Sequence, residues 1–97
     1  MPWMIRGFHD KETERIFLRE RGSRFARPLQ RAALWKLLLL DAAESLEDLR
    51  VPPGNRLEKL VGDREGQYSI RINNQWRLCF RWEGQRPSPE GDGLEKG

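Results

Sequence analysis

The residues best suited to chemistry lie in the second half of the chain, where arginines alternate with apolar residues. From 67 to 73, and again from 75 to 83, every second residue is apolar. Such alternation predicts two β-strands that each have one apolar face. Arg71 lies on the polar side of the first strand, and Arg77 lies on the polar side of the second. Because a guanidinium binds a phosphate through paired hydrogen bonds, two of them on one surface predict a phosphate site.

The register of this predicted hairpin decides whether the two arginines meet. Keeping both apolar faces on one side of the sheet requires Ile70 opposite Leu78, which leaves the three residues 73–75 as the loop. Two of these are asparagines, which tolerate the left-handed conformation that such loops use. The same register places Arg71 opposite Arg77. Like charges directly opposite each other destabilise a sheet, so a purely structural role gives little reason for this pair.

Two interpretations of the arginine pair stay open at this point. In the first, both guanidiniums face a phosphate group. In the second, one arginine forms an ion pair with a carboxylate such as Glu58 or Glu65. The net charge of +3 and the isoelectric point near 9.5 do not decide between them, because charged stretches are usually solvated faces.

Two helices are expected to precede the hairpin. Residues 4–8 predict a short first strand. A helix is predicted to begin after Asp10, a suitable N-cap, and to end at Gly22. Pro28 suits the first turn of a second helix, which extends to Ala43. The apolar stripe of this second helix is broad, which predicts packing between layers.

The segment 51–55, which reads VPPGN, ends the helical half of the chain. Residues 56–60 are predicted to form a further strand, and residues 62–66 are predicted to form a turn. The fold class is therefore α+β, with an N-terminal strand, two helices and then a twisted antiparallel sheet.

The last residues have a different composition. Residues 84–97 contain several glycines and charges together with Pro87 and Pro89, which predicts a disordered or atypical tail after a domain of residues 1–83. Without a final strand, one edge of the sheet would be open. An open edge can pair with another protein or with a second copy of the chain, so a homo-oligomer is a further expectation.

Several classes of protein are disfavoured by the composition. A single histidine, His9, and a single cysteine, Cys79, predict neither a metal site nor an internal disulfide, and no cofactor is expected. The longest apolar run, 37–40, is far shorter than the roughly 20 residues of a membrane-spanning helix. The first residues have no apolar core of a signal peptide. We therefore expect a cytoplasmic protein that does not contact membranes.

The block from Pro53 to Phe80 resembles the HigB branch of the RelE/ParE toxin superfamily. It contains PGNRL at 53–57, GDREG at 62–66 and WRLCF at 76–80. The predicted first strand and the end of the second helix are similar as well, so the resemblance extends from residue 4 to about 83. It implies a RelE-like fold of one strand, two helices and a twisted antiparallel sheet.

The resemblance also implies a function. Such proteins are toxins of type II toxin–antitoxin systems that cut messenger RNA on the ribosome and inhibit translation, and a HigA-like helix-turn-helix antitoxin neutralises them. Arg77 matches the family arginine that helps to hold the scissile phosphate, and Glu58 takes the place of a histidine found in some members. Relatives usually end in a strand that closes with Asp-Tyr-His. Residues 84–97 contain no such ending, which implies an altered or missing last strand.

Cleavage of RNA through the ribose 2′-hydroxyl requires a base, positive charge at the phosphate and an acid for the leaving oxygen. Arg77 and Arg71 are expected to supply the charge. Glu58 is the candidate for the base if it lies within hydrogen-bond reach, although a simple surface ion pair is the favoured interpretation of this glutamate. Three further cations are expected to bind RNA: Arg56, Lys59 and Arg64.

Two alternative functions remain. A protein with the toxin fold could bind its antitoxin while having weakened catalysis, as the altered ending implies. A ParE-like inhibitor of topoisomerase could use the same fold, because a fold does not determine a function.

Overall fold

The computed structural model describes residues 8, 11–20, 25–83, 86–87 and 93–96. The helices are α1 (Lys11–Phe17) and α2 (Arg27–Ala42). The strands are β1 (Glu58–Lys59), β2 (Gln67–Arg71), β3 (Trp76–Glu83), β4 (Arg86–Pro87) and β5 (Gly93–Lys96). Three short 3-10 helices span Leu46–Arg50, Pro53–Asn55 and Gly62–Arg64. The predicted α+β class is confirmed.

The sheet is antiparallel, and β3 is its central strand. Strand β2 lies between β1 and β3, while β5 pairs with residues 76–79 of β3 and β4 pairs with residues 82–83. The predicted hairpin register is confirmed, because Ile70 lies opposite Leu78 and Arg71 lies opposite Arg77. In the loop, the side-chain oxygen of Asn73 accepts hydrogen bonds from the backbone N–H groups of Gln75 and Trp76, both at 2.8 Å.

The core lies between α2 and the apolar face of the sheet. Ala33, Leu37 and Leu40 recur along α2 at spacings of three and four, and all three are fully buried. They belong to one cluster with Ile70, Leu78 and Phe80 of the sheet, to which α1 adds Ile16 and Phe17. The polar face of the sheet is therefore the face left for chemistry. Within the described residues, no helix is long and apolar enough to cross a membrane.

The first helix ends earlier than predicted. It stops at Phe17 rather than at Gly22, which lies outside the described residues. Arg19 adopts a left-handed conformation with φ 58°, and the N–H of Glu20 bonds to the carbonyl of Arg15 at 2.9 Å. This is the Schellman ending that glycine normally provides, here made by an arginine. Of the predicted first strand, only Phe8 is described, and it forms a single bridge.

The strand predicted over 56–60 is shorter than expected. The 3-10 helix Pro53–Asn55 ends in Arg56, whose left-handed φ of 47° interrupts extended backbone. Pairing with β2 is consequently limited to Glu58 and Lys59.

The prediction of a disordered tail is wrong for residues 93–96, which form β5 against β3. Leu94 is partly buried and packs against the core cluster, so the last strand is altered in sequence but is present. In the described part of the chain, β5 and β4 pair with β3 at residues 76–79 and 82–83, so the edge of β3 that was expected to be open is covered there. A homo-oligomer stays a prediction.

Candidate functional site

A depression opens on the polar face of the sheet beside the loop 73–75. We call it the arginine depression. Its lining residues are Arg56, Glu58, Arg71, Asn73, Asn74, Gln75 and Arg77. Four of the six site residues predicted from the sequence therefore lie together.

Strand alternation brings these side chains together. Arg71 and Arg77 are directly opposite each other on β2 and β3. Glu58 lies opposite Ser69, two residues before Arg71, and therefore shares its face of the sheet. The left-handed backbone at Arg56 turns the chain from the 3-10 helix Pro53–Asn55 into β1, next to β2. The depression thus contains three guanidiniums and one carboxylate.

The single carboxylate of the depression pairs with one of the arginines. Arg77 forms an ion pair with Glu58, and their side chains are 28% and 56% exposed. Of the two interpretations left open by the sequence, the structure shows the ion pair. Because the Glu58 side chain is more than half exposed, this pair contributes little to the stability of the fold.

The second arginine is held by the hairpin loop. The guanidinium of Arg71 donates a hydrogen bond to the side-chain oxygen of Asn74. This contact involves a neutral partner, so the positive charge of Arg71 is not neutralised by it. The loop therefore orients a cation beside the Arg77–Glu58 pair.

Sequence reasoning missed a buried lysine next to the depression. Lys36 of α2 is only 9% exposed, and its ammonium donates a hydrogen bond to the side-chain oxygen of Asn55. Burial lowers the pKa of Lys36, and repulsion by the nearby Arg71 guanidinium lowers it further. The signal was present in the sequence, because Lys36 is spaced three from Ala33 and four from Leu40 on the apolar side of α2.

Asn55 is itself fully buried and fixes the chain before the depression. Its side-chain N–H₂ donates hydrogen bonds to the carbonyls of Leu49 at 3.0 Å and Val51 at 3.3 Å. With its oxygen bound to Lys36, the amide links α2 to the segment that leads into Arg56.

The two other predicted RNA-binding residues do not line the depression. Lys59 is exposed and lies opposite Tyr68, on the face of β1 away from Glu58. Arg64 binds both oxygens of Glu95 on β5, at 2.6 and 2.5 Å. The hydrogen bonds to this carboxylate raise the pKa of Arg64 above its ordinary value. Contact of these two cations with RNA stays a prediction.

No metal site is found among the described residues, where no three histidine, cysteine, aspartate or glutamate side chains are grouped to hold an ion. Cys79 is buried, and burial raises the pKa of its thiol, which disfavours the reactive thiolate.

Comparison with known proteins decides the family. A family model for HigB-like toxins, described as the RelE-like toxin of the type II toxin–antitoxin system HigB, matches residues 6–87. The chain belongs to the HigB-like toxin family. The match includes β1, β2 and β3 and every residue that lines the arginine depression. The resemblance predicted from the sequence is confirmed.

Individual relatives agree with this assignment. Toxin HigB-1 of Vibrio cholerae serotype O1 is 43% identical over 76 residues, which cover 77% of this chain and 80% of that protein. An uncharacterized protein of Haemophilus influenzae is 46% identical over 48 residues, which cover 50% of this chain and 48% of that protein. As a HigB-like toxin of a type II system, the chain has an antitoxin as its partner.

Proposed function

We propose that this HigB-like toxin inhibits translation by cutting messenger RNA on the ribosome, with the scissile phosphate bound in the arginine depression. The observation that supports this most is the placement of Arg71 opposite Arg77, with Glu58 paired to Arg77 at the same surface. Two adjacent guanidiniums repel each other and so destabilise the sheet, and a bound phosphate would offset this repulsion.

In the proposed reaction, the phosphate displaces Glu58 from Arg77. The ribose 2′-oxygen attacks phosphorus, the bond to the 5′-oxygen breaks, and a cyclic phosphate forms. Glu58 accepts the proton of the 2′-hydroxyl as the general base. Arg71 and Arg77 stabilise the charge that develops on the phosphate oxygens. None of the described lining residues is a histidine or a tyrosine, so we assign the proton for the 5′-oxygen to water.

The lack of a histidine or tyrosine among the described lining residues favours a second candidate function. A toxin that relies on water for this step would cut slowly, so the protein could act mainly by binding its antitoxin. For either candidate we propose a helix-turn-helix, HigA-like antitoxin and a cytoplasmic location, where ribosomes and messenger RNA are present.

Cleavage by purified protein tests the proposal. Ribosomes programmed with a defined messenger RNA would be mixed with the chain, and the cut ends would be mapped by primer extension. We expect Arg77→Ala to slow cleavage by about 100-fold or more, as for the loss of one donor to a developing oxyanion. Arg81→Ala is the matched control, because Arg81 is on the same strand and the same face but outside the lining.

Equal cleavage by Arg77→Ala and Arg81→Ala proteins would contradict the assignment of the site. A wild-type protein that binds antitoxin but cuts no messenger RNA would instead support the second candidate.

A further inference from the structure

Among the described residues, the least expected feature is a buried cation, Lys36, for which this part of the chain supplies no anionic partner. Lys36 contacts a neutral amide oxygen of Asn55, and the charged group that acts on it is another cation, Arg71. Burial of an ammonium is costly unless a carboxylate or another anion compensates for it. An apolar residue at position 36 would continue the buried stripe of Leu37 and Leu40 without this cost. The cost therefore indicates a role outside the stability of the free protein.

The position of Lys36 indicates what that role is. The Asn55 amide holds its ammonium at the start of the segment that carries Arg56 and Glu58 into the arginine depression. Arg71, which Lys36 repels, donates a hydrogen bond to the side-chain oxygen of Asn74. A fixed repulsion and a fixed hydrogen bond together restrict where the Arg71 guanidinium can lie. Preorganised positive charge of this kind favours an anion, because it needs no rearrangement when the anion binds.

We infer that Lys36 is a positioning residue of the RNA phosphate site, which directs Arg71 toward the phosphate and adds its own charge to the arginine depression. This inference rests on the proposed function, since it takes the anion to be a phosphate of RNA. The alternative is that Lys36 only ties α2 to Asn55, as a structural hydrogen bond between two elements.

Substitutions at Lys36 separate its charge from its hydrogen bond. Lys36→Gln keeps an N–H donor for Asn55 but has no charge, whereas Lys36→Met has neither. Lys36→Arg keeps a permanent charge. Arg31→Gln is the matched control, because Arg31 is exposed on the same helix and does not line the arginine depression. Circular dichroism and thermal melting establish that each variant is folded.

Binding of a short, fluorescein-labelled single-stranded RNA is measured by anisotropy at increasing salt. We expect Lys36→Gln to weaken binding about tenfold at low salt. Its plot of log affinity against log salt should be shallower, since roughly 0.7 of a counterion is released for each phosphate neutralised on a single strand. Lys36→Arg and Arg31→Gln should bind as the wild type does. Wild-type affinity for Lys36→Gln, with loss in Lys36→Met alone, would overturn the inference.

A double-substitution cycle tests whether Lys36 acts through Arg71. In an Arg71→Ala protein, Lys36→Gln should weaken binding much less than it does in the wild type, because coupled residues are not additive. An undiminished effect would overturn the inference. If Arg77→Ala binds RNA as tightly as the wild type, the proposed function fails instead, and the two failures are thus distinguishable.

If Lys36→Gln does not fold, the inference is tested by measuring RNA affinity as a function of pH. The charged group that faces Lys36 is Arg71 on β2, and Arg56, Glu58 and Arg77 surround that arginine in the depression. As pH rises, the wild type should lose RNA affinity while Lys36→Arg, which stays charged, retains it. Superimposable pH profiles of the two proteins would overturn the inference.

Discussion

Two arginine–glutamate ion pairs lie on the polar face of the sheet, and they differ in balance. Arg64 and Glu95 meet through both carboxylate oxygens, at 2.6 and 2.5 Å, and join the turn before β2 to the last strand. Arg77 and Glu58 form the second pair, beside the further cation Arg71. The first pair is joined by two parallel hydrogen bonds, whereas the second lies in a depression that is lined by two further arginines.

Under the proposed function, this difference separates a structural contact from a phosphate-binding site. A balanced pair with two parallel hydrogen bonds fixes the geometry of the elements that it joins. A pair surrounded by uncompensated cations leaves a positive surface that an anion can occupy. Arg77 would therefore exchange its carboxylate for a phosphate, while Arg64 would keep Glu95.

The largest expected difference is in toxicity. We predict that Arg77→Ala abolishes growth arrest when the toxin is induced, and that Arg64→Ala retains most of it. The reason is that Arg77 lines the arginine depression, whereas Arg64 does not. Growth curves would be recorded with circular dichroism of both purified variants. Full toxicity from a folded Arg77→Ala protein would show that the site is assigned wrongly.

A smaller effect is expected from opening the balanced pair. Glu95→Gln should lower the free energy of unfolding by about 1 kcal/mol, because both partners are more than a third exposed. Hydrogen exchange should become faster in β5 and in residues 76–79, which pair with it. Arg50→Ala, which removes the exposed pair with Glu47, is the control and should leave that exchange unchanged. Unchanged exchange in β5 after Glu95→Gln would mean that this pair does not hold the strand.

The hairpin was predictable from the sequence because the pleat repeats every two residues. One choice, to keep Ile70 and Leu78 on the same face, determined the whole register and with it the meeting of Arg71 and Arg77. The second helix was predictable for a similar reason, since its apolar stripe follows the period of a helix over 16 residues.

The parts that failed depend on contacts that local patterns do not show. Strand β5 was missed because its four residues, GLEK, have no alternation of their own and are ordered by pairing with β3. The end of α1 was missed because Arg19, and not a glycine, adopts the left-handed conformation. Lys36 was missed because its meaning depends on Asn55, which is distant in sequence and buried beside it.

The most direct test of the central claim measures RNA binding and RNA cleavage in the same variant. If a phosphate replaces Glu58 at Arg77, Glu58→Gln should bind short single-stranded RNA several-fold more tightly, because the competing carboxylate charge is gone. The same variant should cut messenger RNA on ribosomes about 100-fold more slowly or worse, because the base is gone. Glu47→Gln, at an exposed ion pair outside the lining, should change neither. Weaker binding together with undiminished cleavage by Glu58→Gln would contradict the account.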